Sequence, residues 1–155
     1  MNPAYFSPDV QEFLALLNTY QVQYVIVGGE AVIYHGYARL TGDIDIFYRL
    51  RKPNVDHLYD ALAEFWRGNI PGVEIPEDLG EQGVIIQFGV PPHRIDLLNE
   101  HTGIIFEEAW KNRVVEALTI QGKKAIPIHY IGKEELKKNK SATGRPKDME
   151  DLKYL

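Results

Sequence analysis

At 155 residues, 45% hydrophobic and 25% charged, the chain can bury one core of its own and needs no covalent staple. It has no cysteine, which excludes disulfides and thiolate metal sites, and nothing in it reads as a secretory leader or a membrane-length apolar run, so a cytoplasmic protein with no membrane partner is expected. The net charge of −5 argues against general duplex DNA binding, but it is unevenly spread: residues 121–155 hold nine Lys and Arg against five Asp and Glu, a net +4, leaving −9 for residues 1–120.

Ser7-Pro8 reads as a helix cap followed by a first-turn proline, and Val10, Phe13, Leu14 and Leu17 supply a helical stripe to about Tyr20. Tyr24 to Val27 is a short buried strand that ends in Gly28-Gly29, and a helix from Glu30 to Tyr37 follows. Glycines at that junction let the backbone approach a ligand where the first helical N–H groups have no partner, a setting suited to phosphate oxygens. Asp43 to Tyr48 is the next strand; Asp43 and Asp45 point to one face and the isoleucines between them to the other. Two carboxylates on one face repel unless a cation lies between them. Hard oxygen ligands that also meet substrate phosphates favour magnesium, with manganese as its substitute.

Pro53 opens a further helix with Val55, Leu58, Tyr59, Leu62, Phe65 and Trp66 on its apolar side, and residues 69–83 read as a surface loop. Val84 to Val90 and Arg94 to Leu98 are expected as strands joined by Pro91-Pro92-His93, which brings Asp96 into the sheet. A helix over 104–112, strands over 114–120 and 124–129 around Gln121-Gly122, and helices over 133–139 and 146–155 complete the chain. The expectation is a single α+β domain over 1–155, a small mixed sheet with flanking helices and a basic helical tail from about 132. The five histidines lack metal-ligand spacing and read as surface or packing residues.

Gly28-Gly29, His35-Gly36, Arg39, Thr41 and Asp43-Ile44-Asp45 resemble the GG...HG..R.T.DID signature of the nucleotidyltransferase-fold superfamily, which includes DNA polymerase beta and the antibiotic nucleotidyltransferases. The tail, Lys140 to Leu152 with Gly144-Arg145 and Lys147-Asp148, is similar to an ending common in its bacterial abortive-infection and toxin-antitoxin branch. The resemblance implies that Gly28 and Gly29 hold a triphosphate, that Asp43 and Asp45 hold magnesium or manganese, and that a third carboxylate on a later strand, Asp96, completes the catalytic and metal-binding set. Arg39, Thr41, Lys140 and Arg145 would then meet the nucleotide. The implied activity moves a nucleoside monophosphate from a triphosphate such as ATP to a hydroxyl of a small molecule, protein or RNA end, across a homodimer or with a partner protein where one domain is too small to hold the acceptor. The alternative is a degenerate nucleotide-binding module that acts through a partner chain, as one half of a toxin-antitoxin pair. Many members carry serine where this chain has Gly29. Glu30, next to it, compensates the helix dipole.

Overall fold

The computed structural model describes residues 5–120 and 122–155. Helix α1 (Pro8–Thr19) starts where Ser7 accepts the Val10 amide at 3.3 Å, and it is followed by β1 (Tyr24–Val27), α2 (Gly28–Tyr34), β2 (Asp43–Tyr48) and α3 (Lys52–Phe65). Then come a 3₁₀ turn (Pro76–Leu79), β3 (Ile85–Phe88), β4 (Arg94–Leu98), α4 (Phe106–Lys111), β5 (Val114–Leu118), β6 (Ile126–Tyr130), α5 (Lys133–Thr143) and α6 (Pro146–Leu152). The turn expected at Gln121-Gly122 falls partly on Gln121, outside the described residues.

Elements appear in the order expected, but several boundaries move. Helix α2 begins two residues earlier than read and takes in the glycine pair; Gly28 itself, at φ +66°, turns the strand into the helix. The strand expected over Val84 to Val90 keeps only four residues, because Gly89 at φ +78° breaks the extended run before the two prolines. Helix α5 runs to Thr143 and stops at Gly144, whose φ of +60° forms a left-handed C-cap.

The six strands form one mixed sheet in the order β3-β4-β2-β1-β6-β5. Strands β2 and β4 run parallel and are adjacent, whereas β1 runs antiparallel to β2 on its other side. Because side chains alternate along each strand, the sheet has two distinct faces. Ile44, Ile46, Ile95 and Leu97 lie on the face covered by Phe13, Leu14 and Leu17 of α1 and Leu58 and Leu62 of α3. Val25, Val27 and Phe47 lie on the other, against Ala31 and Val32 of α2, Ala109 of α4 and Leu136 of α5. The second core is the smaller, and the β2–β4 end of its face carries the acidic residues.

Candidate active site

The parallel register of β2 and β4 sets Asp45 directly opposite Asp96 and Asp43 opposite Arg94. One carboxylate oxygen from each of Asp43, Asp45 and Asp96 lies within 4.8 Å of the other two. Such crowding has an electrostatic signature. Burial, then the charges of Asp43 and Asp96, pushes the Asp45 carboxyl up from 3.8 to about 7. Burial also raises Asp96, against the opposing pull of Arg94. A hydrogen bond between the two carboxyls adds to the rise of Asp45 and opposes that of Asp96. Three hard oxygen donors with no nitrogen or sulfur ligand among them fit a magnesium- or manganese-type ion, and the triad could coordinate one.

The diglycine bend stands immediately over these acids. A Cβ on Gly28 would overlap the Asp45 carboxylate, and one on Gly29 would come within 2.6 Å of Thr41 Oγ1 and 3.3 Å of Arg39 Nη1. Both glycines are thus required by close approach, Gly28 also by its positive φ. Thr41 Oγ1 donates to the Asp43 carboxylate at 3.3 Å and so steadies one arm of the triad. Glu30, in the first turn of α2, accepts from Tyr5 Oη at 2.7 Å, and burial raises its carboxyl. Gly28→Ala is expected to cost at least about 1 kcal/mol of stability from backbone strain alone and to abolish divalent-ion binding by pushing Asp45 aside. Urea unfolding and manganese titration of the variant check the two effects separately.

Sequence reading assigned no role to Arg94, yet it is the counter-charge of the triad. Its Nη2 lies 2.6 Å from Asp43 Oδ2 and 3.1 Å from Asp96 Oδ2, and its Nε 3.0 Å from Asp96 Oδ1. The fork spans two strands and takes up oxygens that a cation would also use. The signal was available: Arg94 is two residues from Asp96 on a strand, the same spacing that places Asp43 beside Asp45.

Residues 8–154, nearly the whole chain, match the family described as "nucleotidyltransferase of unknown function (DUF6036)". The chain belongs to this family. Its α+β fold, a small mixed sheet with flanking helices, is accordingly nucleotidyltransferase-like. No curated protein and no solved structure matches it significantly. Among the described residues, no helix of this nucleotidyltransferase domain is long and apolar enough to cross a membrane.

The basic residues expected around the nucleotide are largely engaged with one another's neighbours. Arg39, expected to meet the nucleotide, grips both oxygens of Asp151 on α6 through its Nε and Nη2, at 2.9 and 3.0 Å. Lys140, expected to meet the nucleotide, is buried with Nζ 3.1 Å from Asp151 and 3.3 Å from Asp148. A buried ammonium needs paired charge close by, and these two carboxylates, 0% and 1% exposed, have the same need. Arg145 keeps 68% of its side chain exposed while bonding Asp148 at 2.7 Å, and it still senses the charge of Asp45. The result is an alternating chain, Arg39–Asp151–Lys140–Asp148–Arg145, that latches α5 and α6 onto the loop before β2.

Asp148 also accepts from Thr143 Oγ1 at 2.7 Å and from the Arg145 amide at 3.1 Å. Burial alone would raise its carboxyl, but these bonds and the Arg145 and Lys140 charges hold it well below 3.8. Asp148→Ala is expected to destabilise the nucleotidyltransferase domain by about 3–5 kcal/mol, since Lys140 loses half its compensation. A urea titration at pH 7 measures this. The wild-type contribution of Asp148 is present above pH 3.8 and disappears as the pH falls through its depressed value.

Histidines divide into two groups. His35 caps α2 and its Nε2 bonds the Ile131 carbonyl at 2.8 Å, a packing role as expected. His101 and His129 are lowered to about 4, chiefly by burial and then by Lys140 and Arg113 respectively, and are neutral at physiological pH.

Proposed function

We propose that this protein is a divalent-metal-dependent nucleotidyltransferase that moves a nucleoside monophosphate from a nucleoside triphosphate to an acceptor hydroxyl, releasing pyrophosphate. The observation that carries the reading is the convergence of Asp43, Asp45 and Asp96 within 4.8 Å, immediately below a glycine bend that no larger residue could occupy. The tail signature supports a place beside the bacterial abortive-infection and toxin-antitoxin branch.

Asp43, Asp45 and Asp96 would hold magnesium or manganese, which when bound supplies positive charge against the phosphates and the attacking oxygen. The N–H groups of Gly28 and Gly29 open the first turn of α2, where helical geometry leaves them no intrahelical acceptor, and they bind phosphate oxygens. Arg39 sits against Gly29, held in place by Asp151, and adds fixed positive charge at the same spot. Arg145, exposed and close enough to sense Asp45, is the tail cation best placed to meet the nucleotide, while Lys140 acts through the latch. Thr41 keeps the Asp43 carboxylate in position.

The acceptor oxygen forms a bond to the α-phosphorus, the bond from that phosphorus to the bridging oxygen of pyrophosphate breaks, and pyrophosphate leaves with the electron pair. The hydroxyl proton passes by way of Asp96 to water. The chain supplies position and charge compensation, and no covalent intermediate is required.

The test incubates the protein with magnesium or manganese and each α-labelled nucleoside triphosphate, together with small hydroxylated molecules, RNA and protein. Label transfer that disappears in Asp43→Asn and Asp45→Asn supports the reading. Metal-dependent triphosphate binding without transfer onto any acceptor class points instead to the degenerate binding module acting through a partner. Asp96→Asn is expected to lower transfer more than triphosphate affinity, and equal losses would count against its place on the acceptor side.

A further inference from the structure

A cavity of about 610 Å³ opens on the acid-bearing face of the sheet, toward the far ends of β2 and β4. Phe47 and Leu98 form its inner wall, each two residues beyond Asp45 and Asp96 on the same face, so it begins about 7 Å along the strands from the triad. That volume is ordinary for a small-molecule pocket. With Ile104 and Phe106, these residues offer an apolar, ring-sized lining.

Arg49 lies against this lining with its guanidinium 5.0 Å from the centre of the Phe106 ring and only 11% of the side chain exposed. Among the described residues its sole carboxylate partner is Glu107, through Nη1 at 2.7 Å, and its buried Nε has no hydrogen-bond partner. Glu107 is 58% exposed and shared with Arg51, itself 66% exposed, at 3.4 Å. Thus a deeply placed, half-used arginine fork and a second guanidinium both depend on one surface carboxylate, which water and salt can readily replace. The other acid of the rim, Glu100, accepts from Gln82. The cavity wall holds a second polar atom without a partner among the described residues, Nε2 of His101, and burial keeps that ring neutral, suited to a hydroxyl rather than to a charge.

We propose that this cavity is the acceptor site, and that its occupant is an organic anion: a carboxylate or phosphate monoester on an apolar, ring-sized body that also bears a hydroxyl. Naming the occupant as acceptor rests on the nucleotidyl transfer reading; binding of the anion does not. The anion displaces Glu107 and takes both Nε and an Nη of Arg49, the planar fork that suits oxyanions. Its ring replaces water on Leu98 and Phe106, and its hydroxyl lies toward His101 and the acids. The transfer step is the one written above, with this hydroxyl as the attacking group.

Calorimetry on the metal-free full chain with phenyl phosphate and 3-phenylpropionate tests the site, with inorganic phosphate and benzyl alcohol as controls. Millimolar binding of one or both ring anions is expected, at least tenfold tighter than either control, and the preferred one identifies the headgroup. Glu107→Gln, an exposed change that spares the fold, should tighten binding three- to tenfold, Arg51→Gln should weaken it, and Arg49→Gln should remove it. Saturating manganese and ATP should leave phenyl phosphate affinity unchanged. Absence of ring-anion binding, indifference to Glu107→Gln and Arg51→Gln, or competition with manganese-ATP would overturn the proposal. Ring-anion binding in a protein that transfers no nucleotide would remove the acceptor role and the proposed function while leaving the anion site. Transfer without ring-anion binding would remove this site and leave the function.

Discussion

Asp45→Asn is expected to abolish nucleotidyl transfer, by a factor of at least about 10³ as for loss of a principal electrostatic group, and at the same time to stabilise the metal-free protein at pH 8. Both effects have one origin. Asp45 faces Asp96 across the strand pair and sits below Gly28, so ionising it places a third negative charge in a half-buried cluster. Its carboxyl, ordinarily at 3.8, titrates near 7 in the folded protein. An acid whose folded value lies above its unfolded one binds more protons when folded, so its contribution is complete below pH 3.8 and is lost as the pH climbs through about 7. Metal-free wild-type protein should therefore lose stability over this window, by at most about 1.4 kcal/mol per pH unit for one proton. The asparagine variant should show a flatter profile. A divalent ion binds the ionised form and should reverse the slope in wild type but not in the variant. Thermal melts from pH 4 to 9, with chelator and with millimolar manganese, read all four cases. A wild-type melting temperature independent of pH in chelator would contradict the crowding of the triad.

Arg94→Gln is expected to do the opposite to the metal-free protein and to strengthen metal binding. The guanidinium makes three charge-assisted bonds to Asp43 and Asp96, at 2.6, 3.0 and 3.1 Å, and is the only cation among the described residues that bonds directly to the triad. Removing it should lower the stability of the protein in chelator, because Asp43 and Asp96 lose their hydrogen-bonded counter-charge. Because Arg94 and a cation use the same carboxylate oxygens, the variant should bind manganese at least tenfold more tightly, about 1.4 kcal/mol, when no nucleotide is present. Triphosphate affinity should fall, since with phosphates bound under the glycine bend as proposed the displaced guanidinium would stand beside them and could bond them. Manganese paramagnetic resonance with and without nucleotide separates the two terms. Metal affinity unchanged in Arg94→Gln would show that the guanidinium and the ion do not compete.

Much of the site was legible locally. Asp43-Ile44-Asp45 places two acids on one face because successive side chains on a strand point in opposite directions, whatever the rest of the fold does. Gly28-Gly29 after an apolar run marks a close backbone approach for an equally local reason, and the structure supplies the groups that approach: the Asp45 carboxylate and the Thr41 hydroxyl. Helix α1 followed from its Ser7 cap and 3.6-residue periodicity, and α3 from its first-turn proline and the same periodicity. Boundaries were less secure, since α2 took in the glycines and β3 lost its outer residues, and both limits depend on backbone torsions at Gly28 and Gly89.

Composition and short-range pattern determined by themselves the α+β class, the acidic pair, the glycine bend and the basic tail. Only the tertiary structure decided which charges meet. Strand order made β4 the parallel neighbour of β2 and so brought Asp96, the third carboxylate that the resemblance implied, to the pair and Arg94 with it, 53 and 51 positions along the chain from Asp43. Chain folding likewise turned Lys140 and Arg39 toward Asp148 and Asp151, and left Arg49 over Phe106 in a cavity that no motif announces. The physical reason is that side-chain direction within a strand or helix follows from covalent geometry. The partner of a buried charge instead depends on which distant segment excludes water from it, a property of the assembled core.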